Sequence, residues 1–160
     1  MRAFHISFVM LAASLLCAFT LLQGCSSKIS EQEVQSVIQA VDKAANDRSV
    51  KGILTHMADD VVVRLILTDG SANKLYSLNR AQYAMLLEEG FKVAKEYEYG
   101  RKGTKISIAP DGKSAEVSSQ TIETMTFPDG SQRSEAEETA TLELRNGKVV
   151  ITSVKAVQHI

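Results

Sequence analysis

Tryptophan is absent from this 160-residue sequence, and cysteine and proline occur only twice each. One cysteine, Cys17, lies inside an apolar N-terminal run. If that run is removed, Cys25 stands alone and no internal disulfide can form. Beyond residue 24 only Phe91, Phe127, Tyr76, Tyr83, Tyr97 and Tyr99 remain as aromatics, which argues against a stacking platform or an aromatic cage. Neither sign of charge gathers: 18 Lys and Arg are interspersed with 19 Asp and Glu. Without a basic stripe, nucleic acid is not an expected partner. No Gly-rich phosphate loop occurs, because Gly100-Arg101-Lys102-Gly103 lacks the spacing and context of one. No nucleophile-elbow motif is present either. Only His56 and His159 follow the N-terminal run, and no Cys/His spacing suggests the three or four ligands of a zinc site. No metal and no cofactor are expected.

The N-terminal run itself is informative. Arg2 supplies a positive start, and Ile6 to Leu22 is apolar except for Ser7, Ser14 and Thr20. This is the plan of an export signal. It ends in Leu21-Leu22-Gln23-Gly24-Cys25, which resembles the bacterial lipobox. The resemblance implies a diacylglyceryl thioether on Cys25, cleavage before it, and acylation (palmitate or similar) of the new amine. One acyl chain anchors only marginally, at about 0.8 kcal/mol per buried methylene, so two or three are needed for a lasting hold. Ser26 after the cysteine resembles the outer-membrane sorting pattern of hosts with two membranes. An uncleaved spanning helix competes with this reading, but the apolar run is shorter than the ~20 residues a span requires. The expected organisation is a signal at 1–24, a lipidated tether at 25–29 and one domain at 30–160. The mature 136 residues suit a single domain without disulfide staples.

Ser30-Glu31-Gln32-Glu33 reads as a capping box, with Ile29 and Val34 as its hydrophobic staple. Val34, Val37, Ile38, Val41, Ala44 and Ala45 then form a helical stripe. A short helix follows, with Val50, Ile53, Leu54 and Met57 on one face. Asp59-Asp60 is expected to turn the chain into a strand over 61–68, and Asp69-Gly70 to turn it again. Asn79 and Gln82 cap a third helix with the stripe Tyr83, Leu86, Leu87, Gly90, Phe91 and Ala94; Gly90 marks close packing or a break. Pro110-Asp111-Gly112, Pro128-Asp129-Gly130 and Asn146-Gly147 are hairpin signals. They separate strands over about 97–109, 114–127, 131–145 and 148–158. The stretch 118–126 is polar, as though that strand ran on beyond the core.

This order of elements resembles the nuclear transport factor 2-like fold. The similarity is greatest over 50–63, where a short helix delivers Ala58-Asp59-Asp60 into a strand, and over the last hairpin, 142–151. It implies an α+β domain, cone-shaped, with a strongly bent antiparallel sheet wrapped around about three N-terminal helices. Fold alone does not carry function. Ketosteroid isomerases share the resemblance, and it can be tested residue by residue. Their catalytic base falls at Leu65, their oxyanion tyrosine at Val41 and a supporting tyrosine at Met57. Alkyl side chains neither take a proton nor donate one, so that activity is not expected.

Val41, Met57, Leu65 and Tyr83 are expected to line a mostly apolar interior. In the strand carrying Glu135, Glu137 and Glu138, alternation puts Glu138 on the face of Ala136, Ala140, Leu142 and Leu144. There it either meets a ligand or lies solvated past the core. Asp59 and Asp60 are read as local turn residues rather than a catalytic or metal-binding pair. Together these readings describe a lipid-anchored, periplasm-facing, non-catalytic module. It would bind a small apolar ligand, a protein partner or a second copy of itself. The alternative is an enzyme that uses Glu138, His56 or a tyrosine.

Overall fold

The computed structural model describes residues 28–69 and 72–159. The signal segment, Cys25 and the turn residue Gly70 lie outside them. The described chain runs α1 (Glu31–Asn46), α2 (Val50–Thr55), β1 (Met57–Asp69), β2 (Ala72–Asn79), α3 (Arg80–Val93), β3 (Glu96–Ile108), β4 (Ser114–Phe127), β5 (Gly130–Arg145) and β6 (Lys148–His159). The six strands form one strongly curved sheet in the order β2-β1-β6-β5-β4-β3. The fold is α+β, with the helices on the concave side.

Local chemistry fixes the boundaries. At the start of α1 the Glu33 N–H donates to Ser30 Oγ at 3.2 Å, and the Ser30 N–H donates to Glu33 Oε2 at 2.8 Å. Ile29 and Val34 are buried beside this box, as a staple requires. Asn79 and Gln82 repeat the reciprocal pair at α3, at 2.9 and 3.0 Å. In the β5–β6 hairpin Asn146 and Gly147 both take positive φ, 52° and 75°. That is the backbone a two-residue turn needs to match the twist of its strands. Gly52 is required for a different reason: a Cβ there would stand 2.9 Å from the Cβ of Ala44, where α2 crosses α1.

The core fills the narrow end of the cone. Val34 and Ile38 of α1 and Ile53 of α2 meet Val61, Val63, Val117, Leu142 and Ile151 of the sheet. At the same end the Ile29 N–H donates to the Gly112 carbonyl at 2.8 Å, tying the start of the domain to the β3–β4 turn.

Two expectations need correction. Four strand pairs are antiparallel, but β1 and β6 run parallel, so the sheet is mixed. No short turn joins these two strands, and hairpin signals are blind to such pairings. Asp59 and Asp60 do not form a turn: the strand begins at Met57, and the pair occupies the stretch where the β1–β6 register shifts. Their carboxylates turn apart, Asp60 to Arg145 and Asp59 to within 3.9 Å of Arg80. In α3 no residue is fully buried, and Leu86 is half exposed. This helix roofs a hollow instead of plugging it.

Candidate functional site

The hollow is a cavity of about 320 Å³ beneath α3, between α1, α2 and the wide part of the sheet. Val41, Met57, Leu65, Tyr83 and Glu138 all border it. One wall is apolar: Ile38 and Val41 of α1, Ile53 of α2, Leu87 and Phe91 of α3, and Leu65 of β1. Leu65, Leu67 and Leu86 also border an outer apolar groove beside Tyr76 and Met85.

The interior is mostly apolar, as expected, but a polar cluster stands in its lining. The centre of that cluster is Arg101. Along β3, Tyr97, Tyr99 and Arg101 alternate with exposed residues and face inward together. The Arg101 side chain is only 6% exposed. Its Nε donates to both carboxylate oxygens of Asp42, at 3.0 and 3.1 Å. One terminal nitrogen donates to Ser119 Oγ at 2.6 Å and to Glu138 Oε1 at 2.7 Å. The other donates to the Tyr99 hydroxyl at 2.8 Å. Glu138 is therefore not solvated past the core; it is an ion-paired wall residue.

Several elements hold this cluster in place. Asp42 lies one turn beyond Ile38 on α1, at the margin of the apolar stripe. Asn46, a turn later, uses its side-chain amide as a substitute strand. It donates to the Tyr99 carbonyl and accepts from the Tyr99 N–H, both at 2.9 Å. That pins an edge strand which has no neighbour on this side. Arg48 adds two bonds to the carbonyls of Ala94 and Lys95, at 2.9 and 2.8 Å, where α3 enters β3.

Electrostatics follow from the geometry. Burial pulls the Arg101 pKa down, but Glu138, Tyr99 and Asp42 outweigh it, and the guanidinium stays charged. Burial raises the Asp42 pKa, and the pull of Arg101 offsets only part of the rise. Tyr83, Tyr97 and Tyr99 are pushed far above the usual phenol range, in each case first by burial. Glu138 and Glu123 push Tyr83 further, and the charge of Glu123 does the same to Tyr97. All three phenols are neutral hydrogen-bonding groups near pH 7.

The polar run in β4 finds its explanation here. Ser119 and Thr121 are buried, and Thr121, Glu123 and Met125 line the cavity. The strand does not outrun the core; its inward face lines the cavity. The few aromatics also count for more than their number suggests. Three of the four tyrosines meet in the cavity with Phe91, whose ring meets Tyr97 edge-to-face at 4.9 Å and 78°. Arg101, Asp42, Tyr97, Tyr99 and Glu123 were not apparent as site residues from motifs. The period-two alternation of Tyr97, Tyr99 and Arg101 was the available signal. His56 caps the end of α2 and His159 ends β6, so neither joins the cluster. Among the described residues no three His, Cys, Asp or Glu side chains are grouped to hold a metal ion.

Gly90 lines the cavity without close packing, since a Cβ there would meet nothing nearer than Met125 Cε at 4.0 Å. Gly90→Ala is expected to raise stability by about 0.5–1 kcal/mol through helix propensity, as read from urea midpoints. A loss would mean that α3 needs glycine's freedom at this point.

No known family model matches the chain, and no curated protein matches it in sequence. Solved structures do match in fold. A protein from Novosphingobium aromaticivorans classed as a scytalone dehydratase superposes with a TM-score of 0.63 at 9% identity, over 81% of this chain and 83% of its own. A Xanthomonas campestris protein classed as a calcium/calmodulin-dependent protein kinase II association domain gives 0.61 at 19%, over 83% and 94%. A nuclear transport factor 2-like protein of unknown function from Pseudomonas putida gives 0.62 at 17%, over 79% and 84%. The fold is nuclear transport factor 2-like. Within these three neighbours, the nuclear transport factor 2-like scaffold carries a dehydratase description, an association-domain description and no assigned function. The likeness therefore settles architecture alone.

Proposed function

We propose that this chain is a lipoprotein, tethered through Cys25, whose cone binds a small amphipathic molecule from the aqueous side of the membrane without reacting with it. One observation carries the binding reading: a mostly apolar lining holds a cluster of preorganised polar groups in a cavity of about 320 Å³. That volume lies within the usual range of small-ligand sites, and so does the mixture of apolar lining with a few fixed polar groups. Non-reactivity is inferred from the state of those groups. Glu138 is already bound to a guanidinium, and the phenols hold their protons firmly, so neither is a ready base or acid near neutral pH.

The tether supports the aqueous side. Lys28 packs on Gly112 at the narrow end of the cone, while Glu123 lies nine residues up β4 from Ser114. At strand rise that is about 30 Å. The three residue steps from Cys25 to Lys28 span at most about 10 Å, so the polar cluster would stand well clear of the bilayer.

Labelling with fatty acid, followed by fractionation and native mass spectrometry of the purified chain, tests the whole reading. The wild type should incorporate label, sediment with membranes and release a small bound molecule on denaturation. Cys25→Ser should lose both label and sedimentation. Unchanged sedimentation of Cys25→Ser would remove the anchor from the proposal. A second reading, an enzyme, is favoured by the convergence of Glu138, Tyr99 and Arg101 on one cavity and by the dehydratase among the neighbours. Under it, Glu138→Gln abolishes a cellular phenotype while leaving the melting temperature unchanged.

A further inference from the structure

The chemistry of the cavity wall narrows the class of ligand, given that the cavity binds one. Two carboxylates, Glu123 and Glu138, and one guanidinium, Arg101, line it, leaving one negative charge in excess. Asp42 stands behind Arg101 and adds to the negative side to the extent that it is ionised. Arg101 is committed: its bonds go to Asp42, Ser119, Glu138 and Tyr99, which leaves little capacity for an anionic ligand. Glu123 is different. It is half-buried, it shares the cavity lining with Tyr97, and among the described residues it forms no ion pair.

The surroundings of Glu123 suit a cation. Along β5 its register partner is Ser134, and Glu138 lies four residues further, about 13 Å at strand rise. Tyr83, on α3, feels both carboxylates. The face of Tyr99 is already covered by Arg101, at 5.7 Å from the ring centre. Among the described residues no cation covers Tyr83, Phe91 or Tyr97, although Phe91 and Tyr97 meet edge-to-face. Aromatic faces attract cations through their quadrupole, most strongly where water is excluded. An anion would meet uncompensated Glu123 and negative ring faces. A neutral molecule would leave Glu123 unpaired in a partly dry site.

We propose that the cavity takes an amphipathic organic cation, with an ammonium group held at Glu123 between Tyr83 and Tyr97 and an apolar body lying against Val41, Leu65 and Leu87. This rests on the ligand-binding reading above. Three probes that share an apolar body separate the classes: phenylbutylamine, phenylbutanol and phenylbutanoate. Each is titrated calorimetrically into the full chain in detergent micelles, with protein-free micelles as the blank.

The amine should bind at least about tenfold more tightly than either of the others, the margin of one charge-assisted contact. Glu123→Gln should weaken the amine by about tenfold and leave phenylbutanol unchanged, at an unaltered melting temperature. If phenylbutanol or phenylbutanoate binds as tightly as the amine, the cation class is wrong and the ligand-binding reading stands. If the amine keeps its affinity in Glu123→Gln, the assigned carboxylate is wrong. If none of the three binds at up to about 10 mM, weaker than any useful site, both readings fall. Should Glu123→Gln not fold, the order of the three probes on the unaltered chain decides.

Discussion

Arg101→Met is expected to lower the unfolding free energy by about 3–5 kcal/mol at pH 7, the cost of removing one partner from a buried ion cluster. Methionine keeps most of the volume and loses the charge. What remains is two carboxylates, Asp42 and Glu138, only 25% and 16% exposed and without their shared cation. Ser119 and Tyr99 lose a donor at the same time. The pH dependence identifies the mechanism. Burial already raises the Asp42 pKa above 3.8, with Arg101 holding the rise in check. A carboxyl with a raised folded-state pKa binds its proton more tightly in the folded chain. Its contribution is therefore complete below 3.8 and is lost as pH rises through the raised value. Without Arg101 the rise is larger, so the penalty of the substitution should shrink as pH falls from 7 toward 4. Urea unfolding at the two pH values measures this. A penalty that is equal at both would mean lost packing and not stranded charge. Arg101→Lys keeps the charge but not the planar fork, and an intermediate loss is expected.

The same cluster shows where reading the sequence stops. Most element boundaries were legible because their causes are local. Ser30 with Glu33, Asn79 with Gln82, and Asn146 with Gly147 each act within a few residues. The four late strands were legible for the same reason, since three turns separate them. The cavity wall was not. Arg101 meets Asp42 from 59 residues away and Glu138 from 37. No window of sequence holds both contacts, and Gly100-Arg101-Lys102-Gly103 draws attention only as a failed phosphate loop. The polar residues of β4 show the opposite problem: their pattern was visible, but its meaning depends on what lies opposite. Ser, Thr and Glu on an inward face mark a strand beyond the core or a strand lining a hollow. Only the roof made by α3 decides between these. The parallel β1–β6 pair was hidden likewise, because it joins the two ends of the domain.

Leu142→Ala tests the other end of the cone and is expected to cost about 3–5 kcal/mol, the upper part of the range for a buried leucine truncation. Leu142 is fully enclosed. Its cross-strand neighbours are Ala115 on β4 and Ile151 on β6, both buried and held by sheet hydrogen bonds. Ala115 is too small to move into the space, and a paired backbone cannot collapse into it, so most of the void should persist. Leu86→Ala, on the half-exposed face of α3, should cost only about 1 kcal/mol, because about half of that side chain stays in water on folding. The contrast separates a supporting core from a roof. Glu138 lies four residues along β5 from Leu142, about 13 Å at strand rise, so the polar cluster should be undisturbed where the variant is still folded. Urea midpoints at constant m-value provide the measurement. A loss under about 1 kcal/mol for Leu142→Ala would place the stability of the domain elsewhere than in the narrow end. Weakened binding of a cavity ligand by folded Leu142→Ala would mean that the two ends of the cone are mechanically coupled.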